Sequence, residues 1–139
     1  MPNTLHTSHT ESPQALILFA HGARDARWAE PFEDIASRMR ARHPSWHIEL
    51  AYLELMQPSL GAAVATIAAT GFQAITVAPL FLARGGHLRE DYPKLLAQVA
   101  AAHPSLRIST TDALGDSPQM REAIANWLDA NTAEQSAVY

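Results

Sequence analysis

Three side chains combine suitable chemistry with suitable positions for binding a divalent metal ion. His21 and Glu54 each directly follow a mainly apolar run, and His87 follows a third such run through a Gly-Gly pair. Two imidazoles and a carboxylate form an N,N,O donor set, which suits cobalt, nickel, iron or zinc. The chain contains no cysteine, so any metal chemistry must use His, Asp or Glu. These residues therefore predict a metal site.

Glycines and arginines flank the two histidines. Gly85 and Gly86 allow a sharp turn or the close approach of a large flat ligand to the main chain. Guanidinium groups bind carboxylates through paired hydrogen bonds, so a polycarboxylate substrate would fit. The arginines near the histidines are Arg24, Arg27, Arg84 and Arg89. The predicted substrate-binding residues are Arg24, Arg84, Gly85, Gly86 and Arg89.

Each feature also has a purely structural interpretation. A histidine at the end of a strand is often a surface or capping residue, and a salt bridge to an arginine would explain Glu54. Gly85 and Gly86 indicate a turn, but they lack the Gly-x-Gly-x-x-Gly spacing of a dinucleotide fold, which argues against a nucleotide site. The arginines would also fit a solvated face.

The order of apolar segments predicts an α/β fold with a four-stranded parallel sheet and helices on both faces. Strands that alternate with helices form right-handed βαβ units, and their winding here is flavodoxin-like. In such sheets, ligands bind beyond the carboxyl ends of the strands, where His21, Glu54 and His87 are expected. The predicted strands cover 15–20, 47–53, 74–82 and 106–111, and the predicted helices cover 28–42, 59–70, 89–102 and a segment after Ser117 that carries Met120, Ile124, Trp127 and Leu128.

The 139 residues are enough for one domain, expected at 15–130 between a flexible N-terminal segment at 1–14 and a flexible C-terminal tail at 131–139. A net charge of -4 without a basic stripe predicts no nucleic-acid partner. Neither a signal peptide nor a membrane span is recognisable, so we expect a cytoplasmic protein with no membrane partner.

Four further histidines receive no chemical role. His43 and His103 each precede a proline at a predicted helix end, where a histidine meets the negative end of the helix dipole. His6 and His9 lie in the N-terminal segment and are interpreted as incidental, although a mobile pair of histidines could collect metal.

Three segments resemble the signatures of short-form, CbiX-type sirohydrochlorin cobaltochelatases, a group of the class II chelatases. They are FAHGARD at 19–25, YLELMQPSL at 52–60 and PLFLARGGHLREDYP at 79–93. The resemblance extends from about 15 to 127, and the Gly-Gly-His segment is its most specific part. One difference is Ala23, where the family commonly has Ser, so a hydroxyl contact near His21 is expected to be missing or replaced by water.

The resemblance implies a chelatase that inserts a divalent metal, first of all cobalt, into sirohydrochlorin in cobalamin or tetrapyrrole biosynthesis. It implies that His21 and His87 are the metal-binding and catalytic histidines, and that Glu54 is the assisting acidic residue. It also implies a chelatase-like half that pairs as a homodimer, since longer relatives fuse two halves. No cofactor is expected beyond the metal substrate, with iron or nickel as alternatives to cobalt.

Other functions remain open at this point. A sirohydrochlorin ferrochelatase or a nickel chelatase would use the same ligands, because the order of metal affinities does not identify the physiological ion. A histidine phosphatase also has His-Gly after its first strand, but it carries Arg before the His, where this chain has Ala20. A non-catalytic protein that carries metal or tetrapyrrole is the alternative of another class.

Overall fold

A computed structural model describes residues 12–132, which form one four-stranded parallel sheet and four α-helices. The strands pair in the order β2-β1-β3-β4, so the chain steps from β1 to one side and then crosses back to the other. This confirms the predicted α/β fold. The strands are β1 (Ala15–Ala20), β2 (His47–Tyr52), β3 (Ala74–Pro79) and β4 (Arg107–Thr110). The helices are α1 (Glu30–Arg42), α2 (Leu60–Ala69), α3 (Gly86–Ala102) and α4 (Pro118–Thr132).

Alternate side chains of β1 bury against opposite layers of helices. Phe19 lies in a cluster with Val64 of α2 and Tyr92 of α3, whereas its neighbour Leu18 packs with Ala36 of α1. Successive side chains of a strand point to opposite faces of the sheet, so these two clusters lie on opposite faces. The continuous apolar run of β1 is explained by this burial on both sides.

The helix boundaries follow their capping residues. The Ser59 hydroxyl accepts a hydrogen bond from the amide of Ala62 at 3.2 Å, and the Ser117 hydroxyl accepts one from the amide of Met120 at 3.3 Å. Gly71 follows α2 with a φ of 96°, a conformation that favours glycine. The predicted start of α2 and the predicted cap of α4 are therefore confirmed.

The largest difference from the predicted elements lies between β3 and α3. The strand ends at Pro79 rather than at residue 82, because proline has no amide hydrogen to continue the ladder. The helix begins at Gly86 rather than at residue 89, and the amide of Arg89 bonds to the carbonyl of Gly85 at 3.2 Å. Gly86 and His87 therefore belong to the first turn of a helix and not to a loop.

The described elements do not coincide with the predicted ends of the domain. Helix α4 continues to Thr132, so the first two residues assigned to the C-terminal tail are helical. The remainder of that tail, and the N-terminal residues 1–11 with His6 and His9, lie outside the described residues. Residues 12–14 precede β1 without regular secondary structure.

The apolar residues of α4 are more exposed than its sequence pattern suggests. Met120 and Ile124 are half-buried, whereas Trp127 and Leu128 are 63% and 49% exposed. Ile35 of α1 is also exposed. None of the helices within residues 12–132 is long and apolar enough to cross a membrane.

Candidate functional site

The candidate site lies where the winding of the sheet reverses. Strand β1 pairs with β2 on one side and with β3 on the other, and the carboxyl ends of β1 and β3 are adjacent. His21 directly follows β1, and residues 80–85, which we call the β3–α3 segment, lead from β3 to the start of α3. Loops at such a reversal diverge to opposite faces of the sheet and leave a crevice between them, which is the usual ligand position in this architecture.

His21 and Glu54 contact each other at this edge. Nε2 of His21 lies 3.0 Å from Oε1 of Glu54, and both side chains are about half-exposed. The main chain sets this geometry, because the amides of Leu53 and Glu54 donate to the carbonyls of Ala20 and His21 at 2.9 and 3.1 Å. The β1–β2 ladder thus extends beyond both strands and aligns the two side chains.

Gly22 permits this close approach of the two chains. Its φ is 93°, and a Cβ added there would overlap the carbonyl oxygen of Glu54. Only glycine combines that backbone conformation with the absence of a side chain. The His-Gly sequence after β1 is therefore a packing requirement as well as part of a chemical motif.

The His21–Glu54 pair can bind a cation or accept a proton. When Nε2–H donates to the carboxylate, Nδ1 carries the lone pair, and Nδ1 makes no hydrogen bond to any described residue. A carboxylate on one ring nitrogen fixes the tautomer and the orientation of the ring. The imidazole also lies edge-to-face with the buried ring of Phe81, 6.4 Å between centroids, which limits its orientation.

His87 is exposed at the second position of α3 and makes no hydrogen bond to His21 or Glu54. Within residues 12–132, no three His, Cys, Asp or Glu side chains are grouped closely enough to hold a metal ion. The structure thus places two of the three predicted donors in contact and His87 apart from them.

The predicted substrate-binding arginines have different environments. Arg24 and Arg89 are exposed, and Nε of Arg89 makes a long hydrogen bond of 3.4 Å to the carbonyl of Arg84. Arg84 is more buried, and its Nη2 donates to Asp116. Gly85 and Gly86 are exposed at the start of α3, where free amides attract anions.

Arg27 is bound to Asp25 by two side-chain hydrogen bonds, of 2.9 and 3.2 Å. These bonds lower the pKa of Asp25 and raise the pKa of Arg27. This pair is therefore a local ion pair at the start of the turn Ala26–Ala29, where Asp25 also caps the amide of Arg27. The guanidinium group of Arg27 is therefore bound to Asp25 before any substrate carboxylate binds.

Three aromatic side chains pack against one another beside the site. The ring of Phe19 stacks on Tyr92 at 5.8 Å and contacts Phe81 edge-to-face at 5.5 Å. The Tyr92 hydroxyl lies 2.7 Å from Oγ1 of Thr110. Burial raises the pKa of Tyr92, and the hydrogen bond to Thr110 and the nearby charge of Arg84 partly oppose this.

Sequence reasoning missed Asp116, which contacts the β3–α3 segment through Arg84. Asp116 follows β4 by a few residues. The same criterion that selected His21 and Glu54, a polar residue soon after a strand, therefore also applies to it. Its position after the fourth strand sets it apart from the three predicted donors, which follow the first three strands.

The family follows from comparison of the sequence with models of known families. The model described as CbiX matches residues 15–131, which is most of the chain. The chain belongs to the CbiX family. The CbiX match includes His21, Glu54, the β3–α3 segment and Asp116, so every part of the candidate site lies within it.

Individual relatives agree with the CbiX assignment. A CbiX protein from Marinobacter aquaeolei VT8 is 35% identical, with a TM-score of 0.77 over 88% of this chain and 100% of that chain. A sirohydrochlorin cobaltochelatase from Methanopyrus kandleri is 34% identical over 59% of this chain and 57% of its own length. The matched region thus spans about three fifths of the curated relatives.

A longer structure contains the same fold. The sirohydrochlorin chelatase SirB from Bacillus subtilis subspecies spizizenii, in complex with cobalt, has a TM-score of 0.71 at 24% identity. The match covers 86% of this chain and 51% of that chain. The fold described here therefore corresponds to about half of the longer protein.

Proposed function

We propose that this CbiX family protein is a chelatase that inserts a divalent metal, cobalt in the first place, into sirohydrochlorin. The observation that carries the proposal is the His21–Glu54 pair, 3.0 Å between Nε2 and Oε1, beyond the carboxyl ends of β1 and β2, where β1 borders the reversal of the sheet. The names of curated relatives support it, since several are sirohydrochlorin cobaltochelatases. Product of this reaction would enter cobalamin or another tetrapyrrole pathway.

Metal insertion requires a group that accepts the protons leaving the pyrrole nitrogens. Nδ1 of His21 is suited to this, because the Glu54 carboxylate on Nε2 stabilises the imidazolium that forms. The ring is half-exposed, so it can release each proton to water before accepting the next. We assign proton acceptance to His21, with Glu54 as the assisting residue.

His87 is the proposed metal-binding partner of His21. Its exposed imidazole makes no contact with a carboxylate in the described part of the chain, so it remains available to ligate an incoming ion. Its place in the first turn of α3 also puts it beside the exposed amides at Gly85 and Gly86. Substrate carboxylates bound by those amides, by Arg24 and by Arg89 would hold the macrocycle over both histidines.

The proposed partner of the chain is a second copy of itself. The match to half of SirB supports this, because a chain with one chelatase unit needs another to form a two-sided cleft. The exposed Trp127 and Leu128 of α4 are apolar groups that a partner would cover. Cytoplasmic location and the absence of a nucleic-acid partner remain predictions.

The test is a spectrophotometric assay of sirohydrochlorin with cobalt, iron and nickel in parallel. Turnover of many equivalents with cobalt fastest supports the proposal, whereas faster insertion of iron or nickel identifies the corresponding chelatase instead. Binding that stops at one equivalent, with no turnover for any ion, would show a carrier of metal or tetrapyrrole.

A further inference from the structure

The β3–α3 segment is hydrogen-bonded to the short turn Leu114–Asp116, which lies between β4 and α4. The amide of Gly115 donates to the carbonyl of Phe81 at 2.9 Å, and Nη2 of Arg84 donates to the carboxylate of Asp116. The two bonds attach both ends of the segment to a part of the chain about thirty residues away. We call these two bonds the clasp.

Gly115 allows the two parts of the chain to approach this closely. It is buried, and a Cβ added there would overlap the carbonyl oxygen of Leu82 in the middle of the segment. The turn is also bonded to α4, because Nε of Arg121 donates to the carbonyl of Gly115 at 2.8 Å. The segment therefore rests against a fixed support.

Arg84 connects the clasp to the start of α3. Its side chain binds Asp116, while its carbonyl accepts a hydrogen bond from Nε of Arg89 at 3.4 Å. The side chain of Arg84 is 22% exposed, compared with 82% for Arg27 in its local pair with Asp25. A more buried ion pair is less screened by solvent and better able to fix geometry. His87 lies three residues after Arg84, in the first turn of the helix to which the segment leads.

We propose that Asp116 is a positioning residue for His87 and acts through Arg84, with Gly115 as the contact that lets the turn support the segment. The proposal rests on the proposed function, in which His87 binds the incoming metal. It also assigns Arg84 a different task from the one predicted, because Asp116 already binds Nη2 of its guanidinium group. Arg24 and Arg89 then remain as the arginines for substrate carboxylates.

The test compares Asp116→Asn with Asp34→Asn, a matched control that breaks the exposed Asp34–Arg38 pair of α1. For Asp116→Asn we expect faster amide hydrogen exchange in residues 82–90 and a roughly 10- to 100-fold lower kcat, with KM for sirohydrochlorin changed less than about twofold. The control should change neither quantity. Asp116→Glu should restore part of kcat, and circular dichroism checks that each variant folds.

Either of two results with the Asp116→Asn variant would overturn the proposal. One is unchanged exchange and kcat in folded Asp116→Asn. The other is a lower KM with unchanged kcat, which would mean that Asp116 merely competes with substrate for Arg84. If Asp116→Asn does not fold, it is replaced by the double variant Arg84→Asp with Asp116→Arg, in which the two charges are exchanged. If the kcat of this double variant does not exceed that of either single variant, the proposal is overturned. A wild-type protein without chelatase activity would refute the proposed function, while the exchange rates would still decide whether Asp116 orders the segment.

Discussion

Glu54 lies 33 residues after His21 in the chain, yet its Oε1 is 3.0 Å from the histidine Nε2. We expect Glu54→Gln to lower the rate of cobalt insertion about tenfold without abolishing it. The amide keeps the shape and one acceptor but loses the charge that stabilises the imidazolium. Initial rates at saturating substrate measure this. Wild-type rates in a folded Glu54→Gln protein would show that the carboxylate has no part in proton transfer.

His21→Ala and His87→Ala should each lower insertion at least about 100-fold, while the double variant should lose little more than either single variant. Residues that act as one unit lose activity non-additively. His103→Ala, at the C-terminal end of α3, is the matched control and should retain activity. If the rate reductions of the two single variants multiply in the double variant, the two histidines act independently.

Gly22→Ala should destabilise the fold by at least about 2 kcal/mol, because a φ of 93° is unfavourable for alanine and its Cβ would overlap the carbonyl of Glu54. Gly61→Ala is the control in α2, where a Cβ meets nothing within 4 Å, and it should stabilise by about 0.5–1 kcal/mol. Urea denaturation of both variants measures the difference. Equal free energies of unfolding for the two variants would contradict the tight packing at Gly22.

Burial raises the pKa of both Tyr92 and Tyr52 above the ordinary value of 10.0. A raised folded-state pKa means that the unfolded chain loses its protons first. The stability that depends on the neutral phenols is therefore complete below pH 10 and is lost as the pH rises through the raised pKa. Tyr92→Phe should therefore reduce the decrease in the free energy of unfolding at alkaline pH, measured by denaturation at several pH values. It should also remove one tyrosine with a raised pKa from the absorbance titration. An unchanged titration curve would contradict the assignment.

Trp127→Glu should convert a dimer to monomers, or raise its dissociation constant at least about tenfold, because a charge would replace a large exposed aromatic side chain at the proposed interface. Gln98→Glu, at an exposed position of α3, is the control for added charge. Sedimentation velocity at several concentrations measures both. A fully active wild-type monomer at working concentration would refute the dimer.

The sequence predicts the layers of this fold well because buried strands and capped helices have local signals. The apolar run before His21 and the hydroxyls of Ser59 and Ser117 identify elements without reference to distant residues. Two neighbouring parallel strands also end at one edge, which explains why the His21–Glu54 contact could be anticipated.

For other parts of the site, the local sequence pattern does not show which residues come into contact. Gly85 and Gly86 indicate a turn by composition, yet the hydrogen bond from Arg89 to Gly85 makes that region the start of α3. The clasp depends on Gly115 and Asp116, which meet the β3–α3 segment only after β4 has joined the sheet. Likewise, the amphipathic pattern of α4 indicates an apolar side but cannot show which surface covers it.

The bonds that align His21 with Glu54 are made by main-chain atoms alone, through the amides of Leu53 and Glu54. The side chains at positions 21 and 54 can therefore be exchanged without removing a bond that holds the backbone in place. Combinations of His, Asp, Gln and Met at these two positions would present different donor sets on one unchanged frame. The edge of this sheet is thus a suitable scaffold for engineering metal selectivity in this CbiX family protein one donor atom at a time.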